Sequence, residues 1–257
     1  MKRWILKWRE IGGEKVSAIG LGSWDVRNPK AFLEVLLEAF SRGVNLVDTA
    51  EMYKTEPIIG EALAAYGDKD SIFVTTKLYP WHLKDEEECF KALERQRERL
   101  GKVPDLTLVH WPEDIATEVR VLEKAAEKGL TRMIGVSNVN KEQLEVALSS
   151  TKKHPIVAVQ NKYSYTFRRT EELIPILEER NIALQAHTPL DKGKFPRNLL
   201  EVASEVQLPP ATVALLFLLS RSKVVIPIPK TENKKHLEEI LLALETELPE
   251  EALRKLE

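Results

Sequence analysis

Eight times along the 257 residues, a short apolar run rich in β-branched side chains gives way to a stretch with helical periodicity. The runs are VSAIGLG (16–22), VNLVD (44–48), SIFVTTK (71–77), DLTLVH (105–110), RMIGVS (132–137), IVAVQ (156–160), IALQAH (182–187) and VVIPI (224–228). Between them lie amphipathic stripes. Phe32, Val35, Leu36, Ala39 and Phe40 share one helical face, as do Leu144, Ala147 and Leu148, and Leu173, Ile176 and Leu177. Gly43 and Gly129 stand where helices should stop. The longer interval 188–223 predicts two helices, near 198–207 and 210–221. Residues 4–15, with Gly12-Gly13 inside them, predict a β-hairpin across the bottom of the sheet. Eight strand–helix units favour an α/β fold, a closed (β/α)₈ TIM barrel with short rim loops, spanning 1–257 as one domain. The open-sheet rival needs a GxGxxG fingerprint starting at Gly20, and Asp25 stands where its third glycine belongs.

Charge and composition narrow the partners. Lys and Arg number 38 and Asp and Glu 40, without the basic excess that a broad nucleic-acid surface needs. Cys89 is the one cysteine, which rules out an intrachain disulfide and weighs against a cysteine-based metal cluster. The apolar run Val213 to Leu219 is too short to span a bilayer. The opening MKRWILKWRE lacks the apolar core of a signal peptide. These features predict a cytoplasmic protein with no membrane or nucleic-acid partner. The 30% charged residues, beside a single Cys and few Gln, lean toward a heat-adapted source.

In a barrel, chemistry gathers at the C-terminal ends of the strands. The second run ends in Asp48, the third in Lys77 and the fourth in His110, and Tyr53 follows Asp48 by five residues. Each has an ordinary reading: Asp48-Thr49 as a turn or cap, Lys77 as a solvated charge, His110 packed beside Trp111, Tyr53 as packing. Together at one rim they form a set that is costly to bury unless paired. A free phenol, with a pKa of roughly 10, is a weak acid near neutrality. An adjacent ammonium should lower it, a carboxylate should hold that ammonium charged, and an imidazole should hydrogen-bond the same substrate oxygen. With no nucleophile or metal set in view, this suits reduction of a carbonyl by an external hydride.

These segments make the chain similar to a known family. KVSAIGLGSW (15–24), VDTAEMY (47–53), VTTKLYP (74–80), LVHWP (108–112), IGVSN (134–138), VQNKYS (159–164), HTPL (187–190) and VIPIPK (225–230) resemble the aldo-keto reductase superfamily over essentially the full length. The resemblance implies NADPH, with NADH as the lesser option, held across the barrel rim, and a small-molecule carbonyl substrate. It implies a catalytic tetrad of Asp48, Tyr53, Lys77 and His110, with Tyr53 as proton donor. It implies that Ser137, Asn138 and Gln160 bond the nicotinamide amide and that Ser23 and Trp24 meet the cofactor. His187 takes the stacking position, Thr188, Pro189 and Leu190 run along the pyrophosphate, and Lys230 and Thr231 face the 2′-phosphate. Glu239 keeps its place toward the adenine. Trp24, Tyr79, Trp81, His110 and Trp111 would line the substrate pocket.

The chain also departs from the family. His187 replaces the usual aromatic that stacks on nicotinamide, and His236 replaces the arginine that grips the 2′-phosphate. Ile240 replaces an asparagine, and nothing explains Lys162 in place of a glutamate. Few residues, 112–115 and 191–196, follow the fourth and seventh runs, and the chain stops at Glu257. These short segments predict a shallow pocket and a broad substrate range. Two other readings are a nucleotide-binding regulatory or sensor protein with little turnover, and a metal-dependent hydrolase on the same barrel. The intact tetrad favours the first reading over the sensor. The histidines at 82, 110, 154, 187 and 236 contain no His-x-His pair to favour the hydrolase.

Overall fold

Eight parallel strands in sequential order form the sheet of this computed structural model, which describes residues 6–257. A two-stranded antiparallel hairpin precedes them, β1 (Trp8–Ile11) with β2 (Glu14–Ser17). Its turn is Gly12-Gly13, with φ of +56° and +87°, the left-handed conformations that a tight hairpin turn demands. The hairpin therefore reaches Ser17 and takes Val16 and Ser17 from the first apolar run. Residues 4 and 5 of the expected hairpin lie outside the described residues. The parallel strands are β3 (Leu21–Gly22), β4 (Leu46–Asp48), β5 (Phe73–Leu78), β6 (Leu106–Val109), β7 (Met133–Ser137), β8 (Ile156–Lys162), β9 (Ala183–His187) and β10 (Val225–Pro227). Two hydrogen bonds join the first to the last: Gly20 N–H donates to the Pro227 carbonyl (3.0 Å) and Gly22 N–H to that of Pro229 (2.9 Å).

The helices fill the intervals much as the periodicity predicts. They are α1 (Pro29–Ser41), α2 (Glu56–Tyr66), α3 (Glu86–Leu100), α4 (Ile115–Glu127), α5 (Lys141–Ser150), α6 (Ile174–Glu179), α7 (Arg197–Glu205), α8 (Pro210–Arg221), α9 (Lys234–Glu245) and α10 (Glu250–Leu256). Asn28, Asp85, Asp114, Asn140 and Asn233 cap their helices by accepting a first-turn N–H. Residues 110–114 join β6 to α4, and residues 188–196, with a 3₁₀ turn at Asp191–Gly193, join β9 to α7. α8 is buried from Thr212 to Leu219, which explains its apolar run. Among the described residues no single helix is long and apolar enough to cross a membrane.

The core has two parts. One lies between sheet and helices and takes the helical stripes. The other fills the lower barrel with Ile11 and Val16 of the hairpin, Leu46, Phe73, Leu106, Leu108, Ala158 and Ile226. Strand side chains alternate between faces, so the residue two further along points the same way. Above Leu46 comes Asp48; above Phe73 come Thr75 and then Lys77; above Ala183 come Gln185 and His187. The barrel thus changes from apolar at the hairpin end to polar at the C-terminal end, and this gradient puts the chemistry at one rim.

Gly135 marks a register shift between β7 and β8. A Cβ there would lie 2.4 Å from the Ala158 carbonyl oxygen and 2.6 Å from Leu108 Cδ2. Backbone must move to admit it, so Gly135→Ala is expected to cost about 1–3 kcal/mol in chemical denaturation. An unchanged midpoint would mean that the strands can part there freely.

Candidate active site

Polar residues at the top of the barrel can be buried only as a network. Lys77 and Asp48 are 0% and 3% exposed. The ammonium donates to Asp48 Oδ1 (2.7 Å), to Asp48 Oδ2 (2.9 Å) and to the Thr49 carbonyl (2.7 Å). All three of its protons are thereby used. Asp48 Oδ1 accepts a further bond from Gln160 Nε2 at 2.7 Å. Gln160 also donates to Gln185 Oε1 (2.8 Å), and Gln185 donates to Thr75 Oγ1 (2.9 Å). Asp48 only accepts, as an ionised carboxylate does. Burial pushes its carboxyl up and the Lys77 ammonium down, and their contact opposes both shifts.

Tyr53 follows β4 in a single turn of 3₁₀ helix, Glu51–Tyr53. Lys77 Nζ stands 4.6 Å from the centre of its ring. The ring meets Trp24 edge-on at 5.0 Å and His110 at 5.7 Å. The phenol's acidity differs from the sequence expectation. Burial, and then the negative charge of Asp48, hold it above the ordinary tyrosine value. The Lys77 ammonium, paired with Asp48, does not offset these two effects. His110 lies flat on Trp111, with ring centres 3.7 Å apart, and is pushed down to about 2 by burial and then by Lys77. His187 is pushed down to about 4 by burial and then by Lys77 and Lys162. Both imidazoles are neutral near pH 7.

Beside this cluster opens a cleft of about 610 Å³. Of the residues expected at a site, Trp24, Asp48, Tyr53, His110, Trp111, Ser137, Asn138, Gln160, His187, Thr188, Pro189, Leu190 and Lys230 line it. Lys77 lies beneath, reaching it through Asp48. Ser137 Oγ donates to the Gln160 carbonyl (2.7 Å), and Asn138 Nδ2 to the His110 carbonyl (2.9 Å). Asn138 Oδ1 is then left to accept His187 Nε2–H at 3.1 Å, and the Thr188 hydroxyl bonds Nδ1 at 3.1 Å. Asn138 and Thr188 hold φ of +57° and +54°, the second unusual for a β-branched residue.

Several expected residues stand apart from the lining. Ser23 is buried against Thr55 at 2.7 Å. Tyr79 and Trp81 stack on each other at 3.8 Å on the neighbouring rim. Thr231 is buried and accepts the Asn233 N–H. His236 is exposed on α9, while Glu239 faces a separate recess with Arg42 and Lys235. Ile240 packs into the core. The expected adenine-end residues on α9 therefore do not line the cleft. Conversely, the sequence reading missed Asp25, Arg27, Met52, Lys192, Ile228 and Pro229, which do. It also missed Gln185, although an amide in the middle of an apolar strand calls for a buried partner.

A family model described as "Aldo/keto reductase family" matches residues 18–257. A glyoxal reductase of Bacillus subtilis is 30% identical, over 95% of this chain and 89% of its own length. The crystal structure of a thermostable aldo-keto reductase bound to the inhibitor epalrestat superposes with a TM-score of 0.90 at 31% identity, covering 98% of both chains. An aldo/keto reductase from Klebsiella pneumoniae, solved with NADP and acetate, gives 0.89 at 27% identity, covering 98% of this chain and 94% of its own.

Removing one partner of the buried pair should cost far more than removing both charges. Lys77→Met is expected to destabilise by about 3–5 kcal/mol, and Asp48→Asn in the same chain should restore part of it. A double variant no more stable than Lys77→Met would show that the two do not act as a pair. His187 has a folded pKa of about 4 against an ordinary 6.5, so the unfolded chain binds more protons between those values. Its contribution to stability is full above pH 6.5 and falls away as the pH drops toward 4. His187→Phe should flatten the stability profile over that window; an unaltered slope in denaturation at pH 4.5 and 7 would contradict the shift.

Proposed function

The chain belongs to the aldo/keto reductase family, and on that footing we propose that it reduces small aldehydes and ketones to alcohols with NADPH, NADH serving less well. One observation carries the reading: a protonated phenol and a neutral imidazole face a single cleft above a fully buried ion pair. The cleft's polar lining suits a dinucleotide. Amide and hydroxyl groups of Ser137, Asn138 and Gln160 suit the carboxamide, Thr188 to Leu190 the pyrophosphate, and Lys230 the 2′-phosphate. When bound, the dihydronicotinamide supplies hydride to the carbonyl carbon.

The chain's own residues handle the proton and the oxygen. Burial and Asp48 keep Tyr53 protonated, so the donor is loaded in the resting site. Its weakness as an acid is no obstacle, because an oxygen becoming an alkoxide is a stronger base than a phenolate. As Tyr53 Oη gives up its proton, the negative charge left on the phenol is stabilised by the nearby Lys77 ammonium. Neutral His110 donates a hydrogen bond to the same substrate oxygen and fixes its direction. Trp24 and Trp111, half exposed, offer apolar walls without closing the cleft. With short loops after β6 and β9, few contacts remain to select one substrate, which supports a broad range and modest kcat/KM.

Tyr53→Phe is expected to lower kcat by about 10²–10⁴ while NADPH binding, followed by fluorescence, persists. Retained turnover would remove Tyr53 from the reaction. A panel of glyoxals, aromatic aldehydes and small ketones should show KM values within a narrow range; one substrate with a far lower KM would contradict the open pocket.

A further inference from the structure

Glu232, in the turn between β10 and α9, collects more donors than a loop contact needs. One carboxylate oxygen accepts the Arg27 N–H at 3.1 Å and the other accepts the Asn28 N–H at 2.6 Å. The Lys230 ammonium donates to the same carboxylate and, at 2.7 Å, to the Asp25 carbonyl. Burial opposes the charge on Glu232, but Lys230 and the two amides hold its carboxyl below the usual value. Two backbone amides entering α1 and one ammonium thus converge on a single anion. Lys230 and Arg27 both line the cleft, and Arg27 too is partnered, by Asp25 at 3.1 Å. Lys230, the cation expected to meet a phosphate, and Arg27 beside it are therefore already held by carboxylates of this chain.

Backbone N–H groups at a helix entrance beside an ammonium are the donors that a phosphate monoester takes. We propose that Glu232 is a built-in competitor for the 2′-phosphate of NADPH: its carboxylate holds donors that the phosphate would use, so NADPH must displace it and NADH need not. Glu232 is then a specificity-determining residue that trims the preference for the phosphorylated cofactor. This rests on the reading of Lys230 as the 2′-phosphate partner.

Tryptophan-fluorescence titration of the full chain with NADPH and with NADH separates the two ideas. Glu232→Gln keeps an oxygen for one amide and loses the charge. It is expected to tighten NADPH about tenfold and to shift NADH by less than about twofold. Glu232→Ser, too short to reach Arg27, should move the ratio the same way, and melting curves confirm that both variants fold. An unchanged ratio of the two dissociation constants, or weaker NADPH binding, overturns the proposal. Lys230→Met tests the reading beneath it. Selective loss of NADPH affinity upholds that reading whatever Glu232→Gln does, whereas equal loss for both cofactors removes it and the competitor with it.

Discussion

An ammonium sealed from water must find three acceptors or give up its charge, and Lys77 finds them in Asp48 and Thr49. Much of the upper barrel follows from that demand. Asp48 needs a further donor, which Gln160 provides; Gln160 needs a partner, which Gln185 provides; Gln185 in turn ends on Thr75. Four strands are thereby tied across the barrel's interior by side chains. The same pair sets the charge state of its neighbours. It helps hold His110 and His187 neutral through Lys77 and keeps the Tyr53 phenol protonated through Asp48. A site with one fixed cation, one fixed anion and neutral groups between them is preorganised for charge that develops on a substrate.

Much of this was legible in the sequence because strand ends and rim positions coincide in a barrel. Asp48, Lys77 and His110 fall at the ends of consecutive apolar runs, and period-two alternation aims them inward. What was not legible concerns pairs distant in sequence. Gln160 and Asp48 are 112 residues apart, and no local pattern says that one amide will serve one carboxylate. The direction of the Tyr53 shift was misread for the same reason. The composition of the site includes an ammonium, but only geometry shows that the phenol is buried and that a carboxylate lies against that ammonium. On α9, motif position suggested His236 and Glu239 as cofactor contacts, whereas the helix turns the first to solvent and the second to another recess.

Backbone strain gathers beside the same cleft. Asp25, Asn138, Thr188 and Lys192, four of its lining residues, adopt positive φ without being glycine. Asn and Asp tolerate this conformation; Thr and Lys do so at some cost, which the surrounding hydrogen bonds must hold. Such positions aim side chains where a regular strand or helix cannot. Thr188, for instance, turns the chain out of β9 with its hydroxyl against His187.

The staves of this barrel are not joined with equal strength. β3 has two residues, and its bonds to the last stave end on the carbonyls of Pro227 and Pro229. Neither proline has an amide proton, so neither can donate a bond across that seam. The cylinder is a sheet rolled up and pinned along a sparse zip. Glu232, reaching from one side of that zip to the amides on the other, acts as its clasp, and the cleft opens at the clasped end. Breathing of the barrel, and the entry of anything as long as a dinucleotide, should begin along this line, where amide exchange would run ahead of the rest of the sheet.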